Sequence, residues 1–148
     1  MAERAPLVRG SRFGAMIIAW LFAAGVVIQI FLAGLALFDT AERWGNHTSV
    51  GYLIGILLLP LLVLALIGKV GRQLIGMTVL LVVLYVVQTA LPNLDAGYVA
   101  ALHPLVAFVL LGMSGQLGAR IHSLAAPPPR PAEPSVEGVV DGAPLPQE

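Results

Sequence analysis

Two histidines mark the long apolar runs, His47 just before one in "ERWGNHTSVGYLIG" and His103 within another in "VAALHPLVAFVLLG", and two glutamines, Gln29 and Gln88, also lie inside such runs. The chemistry open to this set is narrow. Imidazoles on two facing helices can ligate the iron of a b-type haem from both axial sides, given small residues to admit the macrocycle and apolar walls to hold it. Gly51 and Gly55 follow His47 at four-residue spacing, and Ala107 follows His103 in the same way, so small residues share a helical face with each imidazole. His47 and His103 are therefore the candidate metal ligands, and Gly51, Gly55, Gln29 and Gln88 the candidate lining of a cofactor site. Quinone or proton handling would draw on the same glutamines and histidines. No nucleophile, base and orienting group occur together, so no catalytic residue is assigned and a hydrolase or transferase has no support.

Each of these residues also has a purely structural use. A glutamine in a membrane bundle commonly hydrogen-bonds across helices. His47 reads equally as an interfacial residue near the start of its helix, and Gly51 with Gly55 as a GxxxG packing motif. Pro104 cannot donate to the carbonyl of Ala100, and the local kink would itself accommodate His103.

The elements that must position these groups follow from composition. Hydrophobic residues make up 58% of the 148 and charged residues 11%, with mean hydropathy +0.91, values of an integral membrane protein. Zero formal net charge gives no basic field for nucleic acid. The absence of cysteine excludes disulfides, thiolate metal sites and covalent haem attachment. A spanning helix needs roughly 17–25 mostly apolar residues, and four runs qualify: 13–38, 50–68, 74–91 and 97–118, none containing Asp, Glu, Lys or Arg. The first is too long for a signal-peptide core of about 7–15 residues and reads as a retained helix. The expected fold is all-α, an integral membrane four-helix transmembrane bundle: a basic lead-in over 1–12, the transmembrane domain over 13–120, and a disordered Pro/Ala/acidic C-terminal tail over 121–148. The loop between helices one and two is expected to be the longer, that between two and three very short.

Basic residues fall on one side of this array. Arg4, Arg9 and Arg12 precede helix one, Lys69 and Arg72 join helices two and three, and Arg120 and Arg130 follow helix four; the opposite loops hold Asp39, Glu42, Arg43 and Asp95. The positive-inside rule places both termini in the cytoplasm, with Trp44 and Tyr98 at the outer interface. Counted up from the basic boundary at 1.5 Å per residue, Gln29, Gln88 and His103 share a layer roughly 25 Å above it, and His47 stands roughly 33 Å above it. The polar layer should face the bundle interior, with the two histidines at unequal depth.

The segments "VIQIFLAGLALF", "HTSVGYLIGILLLPLLVLAL" and "VAALHPLVAFVLLG" resemble the small bacterial membrane proteins of domain-of-unknown-function family 6220, over about residues 13–120. That resemblance implies the architecture and a bacterial plasma membrane, with no activity attached. A looser one, through "VVQTALPNLDAGYVAALHPLVAFVL", is to a four-helix half of haem A synthase and to b561-type cytochromes, in which histidines on the second and fourth helices face each other. The Glu-x-x-His-Arg of the synthase is replaced here by "ERWGNHTS", where Glu42 lies five residues before His47. Two functions follow: a scaffold or accessory subunit among other membrane proteins or copies of itself in the lipid bilayer, the reading that composition favours, and alternatively a haem b or quinone-linked redox protein using His47 and His103. A transporter is disfavoured because no Asp, Glu, Lys or Arg lies deep in a run.

Overall fold

The computed structural model describes residues 4–94 and 96–125, and these form helices joined by short turns. Helix α1 runs over Arg4–Phe38, α2 over Trp44–Gly55, α3 over Leu58–Ile67, α4 over Arg72–Ala90, α5 over Gly97–Ala100 and α6 over His103–Ala125. Among the described residues four segments are long and apolar enough to cross a membrane: Ala5–Phe38, Ala41–Ile67, Arg72–Asn93 and Gly97–Leu124. The described residues thus form an all-α bundle of four spanning segments, as the apolar runs require. The expected position of Asp95 and the tail beyond residue 125, Arg130 included, lie outside the described residues.

Several boundaries differ from the sequence reading. The basic lead-in is helical from Arg4, and Ser11 is already buried, so α1 enters the bundle before Phe13. At the other end α6 continues through residues 121–125, with Ile121 fully buried, so this stretch is helix and not tail. The expected long loop after helix one is largely absent. A 3-10 turn over Ala41–Arg43 leads directly into α2, because Thr40 Oγ1 accepts the N–H of Glu42 at 3.4 Å and Arg43 pairs with Asp39 at 2.6 Å. The other turn is as short as expected: Gly68 to Gly71 reverse the chain, with Lys69 at φ 48° and Gly71 at φ 99°, a conformation glycine adopts freely.

Two spans are broken, each beside a proline. Pro60 has no N–H for the carbonyl of Ile56; there Ile56 and Leu57 bond back only three residues, to Leu53 and Ile54, and α2 gives way to α3. Pro104 likewise cannot serve Ala100, and α5 ends in a turn at Ala101 and Leu102 before α6 begins at His103.

Around the bundle α1 packs on α6, α3 and α2, while α4 packs on α6 and α3. Span two and span four therefore stand diagonally opposite. Ala15, Ala19 and Ala65 are fully buried, and these small residues let helix backbones approach closely, the chief means of packing where lipid removes the hydrophobic drive. Leu61, Leu81, Leu117 and Ile121 fill the space between them. Thr78 and Ser114, also fully buried, spend their hydroxyls on the carbonyls of Leu74 and Leu110, each at 2.8 Å, and so bring no unmet polar group into the core. At the basic end, Arg12 donates from Nε to Gly68 O at 2.8 Å, from Nη1 to Leu124 O at 3.3 Å and from Nη2 to Lys69 O at 3.4 Å. One guanidinium thus serves carbonyls left free at the ends of α3 and α6.

Candidate ligand cavity between two histidines

At the end of the bundle remote from Arg12 the packing opens into a cavity of about 410 Å³. It is lined from α1 by Phe22, Val26, Gln29, Ile30, Ala33, Gly34 and Leu37, from span two by His47, Thr48, Gly51, Tyr52 and Ile54, from span three by Tyr85, Gln88, Thr89, Pro92 and Asn93, and from α6 by His103, Pro104, Ala107, Phe108 and Leu110. No Asp, Glu, Lys or Arg is among them. The volume lies within the range of small-molecule and cofactor sites, and the composition is theirs too: apolar walls with a few convergent polar groups.

The two histidines come together here. Because α2 starts at Trp44, His47 is helical and its ring turns inward, with Nδ1 3.1 Å from the carbonyl oxygen of Gln29. His103, first residue of α6, has Nδ1 2.9 Å from the carbonyl oxygen of Gln88. A carbonyl can only accept, so Nδ1–H is the donor in both, and the neutral ring then presents the lone pair of Nε2. The arrangement repeats: in each half of the chain a glutamine on one helix fixes, through its backbone, a histidine near the start of the next span. The ring centroids lie 6.0 Å apart with planes at 62°. Trp44 packs edge-on with His47, at 5.5 Å and 88°.

The unequal depth expected for the histidines does not hold. Straight counting treats span two as one continuous rod, whereas the span is broken at Ile56 and Leu57, and the His47 ring stands within 6.0 Å of the His103 ring. Gln29 and Gln88 both line the cavity, as the shared layer predicted. Gln88 is 8% exposed and its Oε1 is buried without a hydrogen-bond partner; Nε2 of Gln29 is in the same state. Gly51 lines the cavity against the Gln29 carboxamide, a Cβ there meeting Oε1 at 3.4 Å. Gly55 does not line it. A Cβ on Gly55 would fall 2.0 Å from Tyr85 Oη, so its role is to seat the Tyr85 ring, whose hydroxyl donates to Gly51 O at 3.1 Å.

Tyr85 closes the cavity toward the packed half, with Phe22 edge-on to it at 6.3 Å. The sequence reading gave Tyr85 no place in the site; its three-residue spacing from Gln88 was the available signal. Trp44 was read only as an interfacial aromatic, and its spacing of three from His47 carried the same information. Among the described residues no three or more His, Cys, Asp or Glu side chains converge to hold a free metal ion.

No curated protein and no solved structure matches the chain. The likeness to a haem A synthase half and to b561-type cytochromes accordingly finds no support among known proteins, and rests on residue pattern alone. A family model does match: that of a family of unknown function, DUF6220, over residues 29–94. It takes in Gln29, His47, Gly51, Gly55, Tyr85 and Gln88 and stops before His103, a shorter extent than residues 13–120. Over residues 29–94, then, this bundle of membrane-spanning helices carries the sequence pattern of the DUF6220 family of unknown function, and the resemblance first seen in its helices holds there.

Proposed function

We propose that the chain is a b-type haem protein of the bacterial plasma membrane, with both termini cytoplasmic and the histidine cavity on the outer side, and that it serves as an accessory electron-transfer subunit. One observation carries the haem reading: the ring centroids of His47 and His103 lie 6.0 Å apart, with each imidazole held by Nδ1 on a backbone carbonyl. Two imidazoles on opposite faces of one metal ion, at metal–nitrogen distances of about 2.0–2.1 Å, have centroids about 6 Å apart. A metal-ligating histidine commonly donates its other ring N–H to a carbonyl, which fixes the tautomer and orients the ring. A macrocycle that itself ligates its metal would need only His47 and His103 from the protein. Such a group would supply one-electron chemistry; the two imidazoles would hold it, aliphatic side chains would wall it, and the lining would keep Asp, Glu, Lys and Arg away from it.

Composition favours a scaffold or accessory subunit, and the two readings join. With both imidazoles assigned to the metal, the chain's part in this reading is to carry an electron for other membrane proteins. Orientation is supported by the basic residues Arg9, Arg12, Lys69, Arg72 and Arg120 at one end of the spans against Asp39, Glu42 and Arg43 at the other. The test is a reduced-minus-oxidised absorption spectrum of the full chain, purified in mild detergent after expression with adequate haem supply. The expected result is a sharp alpha band and Soret shift of low-spin bis-imidazole iron; a flat difference spectrum from folded protein overturns the reading. A C-terminal reporter that is active only outside the cytoplasm should stay silent, and its activity would reverse the orientation.

A further inference from the structure

Four seams between neighbouring helices surround the cavity, and three of them are tied at its level by a hydrogen bond. His47 on Gln29 O joins span two to α1, Tyr85 on Gly51 O joins span three to span two, and His103 on Gln88 O joins α6 to span three. The fourth seam, between α1 and α6, has no such tie there among the described residues; its polar bridge, from Arg12 to Leu124 O, lies at the opposite end. In the closed half that seam is sealed by bulk, for Trp20 lies on Gly118, where a Cβ would come 2.8 Å from Trp20 Nε1. About four helical turns further along α1, and so on nearly the same side of the helix, stands Gly34. Gly34 lines the cavity, yet a Cβ there would meet nothing within 4 Å. The cavity wall beside it is open as well: on α1 Ile30 is 38% exposed and Leu37 66%, and on α6 Phe108 is 60% exposed.

We propose that the α1–α6 seam is a lateral entrance to the cavity, with Gly34 as its gap, and that it admits a hydrocarbon chain of a bilayer lipid. What the seam faces identifies the occupant. Both helices belong to membrane-spanning segments, and at 1.5 Å per residue the seam extends from Phe108, roughly 18 Å above Arg120, to Gly34, roughly 33 Å above Arg12. In a hydrocarbon layer about 30 Å thick, that stretch covers the half on the cavity side and reaches its boundary. The lining offers no Asp, Glu, Lys or Arg to a charged head group, whereas its apolar walls take a chain without burying an unpaired polar atom. A void of about 410 Å³ forfeits the contacts its walls could make, and a chain entering from the bilayer restores them. Entry through this seam does not depend on the haem reading; a ring that His47 and His103 ligate would displace the chain along the same path.

The test is photolabelling of the full chain, purified without added porphyrin, in phosphatidylcholine nanodiscs that include a phosphatidylcholine bearing a diazirine at the end of one acyl chain. Adducts are located by peptide mass spectrometry. Val26 and Tyr85 line the cavity, and Val26 is buried; Phe31 and Val83 are exposed and do not line it. Adducts are expected on all four. Gly34→Phe, which fills the gap, should lower those on Val26 and Tyr85 about tenfold through overpacking of the seam, and leave those on Phe31 and Val83 unchanged. Gly34→Ala, whose Cβ meets nothing, should change neither pair. Adducts confined to Phe31 and Val83 in the unmodified protein overturn the proposal, as do adducts on Val26 and Tyr85 that persist undiminished in Gly34→Phe. Should Gly34→Phe fail to fold, Gly34→Leu supplies a smaller plug with the same readout. Adducts on Val26 and Tyr85 in a protein that gives no low-spin bands when haem is added overturn the haem reading alone; low-spin bands without such adducts overturn the entrance alone.

Discussion

Toward Arg12 the bundle is closed: Ala15, Ala19, Leu61 and Ala65 have no accessible surface, and the hydroxyls of Thr78 and Ser114 are satisfied within their own helices. Toward Trp44 the same four spans enclose about 410 Å³, two imidazoles and two unpartnered carboxamide atoms. Both halves use the same apolar residue types, so hydrophobicity does not make the difference. Side-chain size and helix continuity do. In the closed half alanines bring helices together and leucines fill what is left; in the open half Pro60 and Pro104 interrupt two diagonal spans, and Gly55 admits a tyrosine that bridges α2 and α4. Such an arrangement puts rigidity at one end and room for a ligand at the other.

The sharpest way to separate the halves is to remove an imidazole. If the proposed haem is bound, His47→Ala or His103→Ala should abolish the low-spin difference spectrum, since either would remove a metal ligand, while the resistance of the apoprotein to unfolding by a denaturing detergent changes little. A substantial drop in apoprotein stability on either substitution would make the histidines part of the fold and dissolve the distinction. The opposite pattern belongs to the closed half. Leu61→Ala should cost about 2–4 kcal/mol, since a fully buried leucine leaves a void that its neighbours fill only in part. Leu37→Ala, at a cavity-lining position 66% exposed, should cost less than about 0.5 kcal/mol. Equal losses at the two sites, read from the same unfolding titration, would break the comparison.

Much of this was legible in the residues. The four spans, the inward stripe of each and the placement of Gln29 and Gln88 on the cavity follow from a 3.6-residue period and the rarity of polar groups in apolar runs. The relation of His47 to His103 was not, because it depends on where a helix breaks and how it leans, and counting residues at a fixed rise cannot supply either. Gly55 shows the same limit: a glycine about two turns from a candidate ligand reads as room for a cofactor, yet the space is taken by Tyr85, a residue thirty positions away in the chain. Arg12 was visible only as a positive charge marking one side of the membrane. Its contacts with Gly68, Lys69 and Leu124 are long-range and leave no local pattern.

The seam between the halves is tested at Gly55. An added Cβ would overlap the Tyr85 ring, so Gly55→Ala should cost about 1–3 kcal/mol as the tyrosine is displaced. Gly55→Ala combined with Tyr85→Leu should recover part of that loss, and the coupling energy from the double-mutant cycle measures how far the floor of the cavity depends on this one contact. Additive losses would show that Tyr85 does not hold the seam.

The smallest effect is expected at the far end of the closed half, where Arg12 gathers three carbonyls from the termini of α3 and α6. Arg12→Lys keeps the positive charge at the basic boundary, so topology should be preserved, but an ammonium on a flexible stem cannot reproduce the planar fork. The short Nε contact to Gly68 O at 2.8 Å is half-buried, whereas the contacts to Leu124 and Lys69 are longer and exposed. Most of the loss should therefore come from the first, about 0.5–1.5 kcal/mol for one hydrogen bond. Arg9→Lys, at an exposed position on the same helix, provides the control and should cost almost nothing. Because the cavity lies at the other end of the spans, the difference spectrum should be unaffected by either substitution. A spectral change with Arg12→Lys would mean that the two ends of the bundle are coupled through α1, whose length spans both.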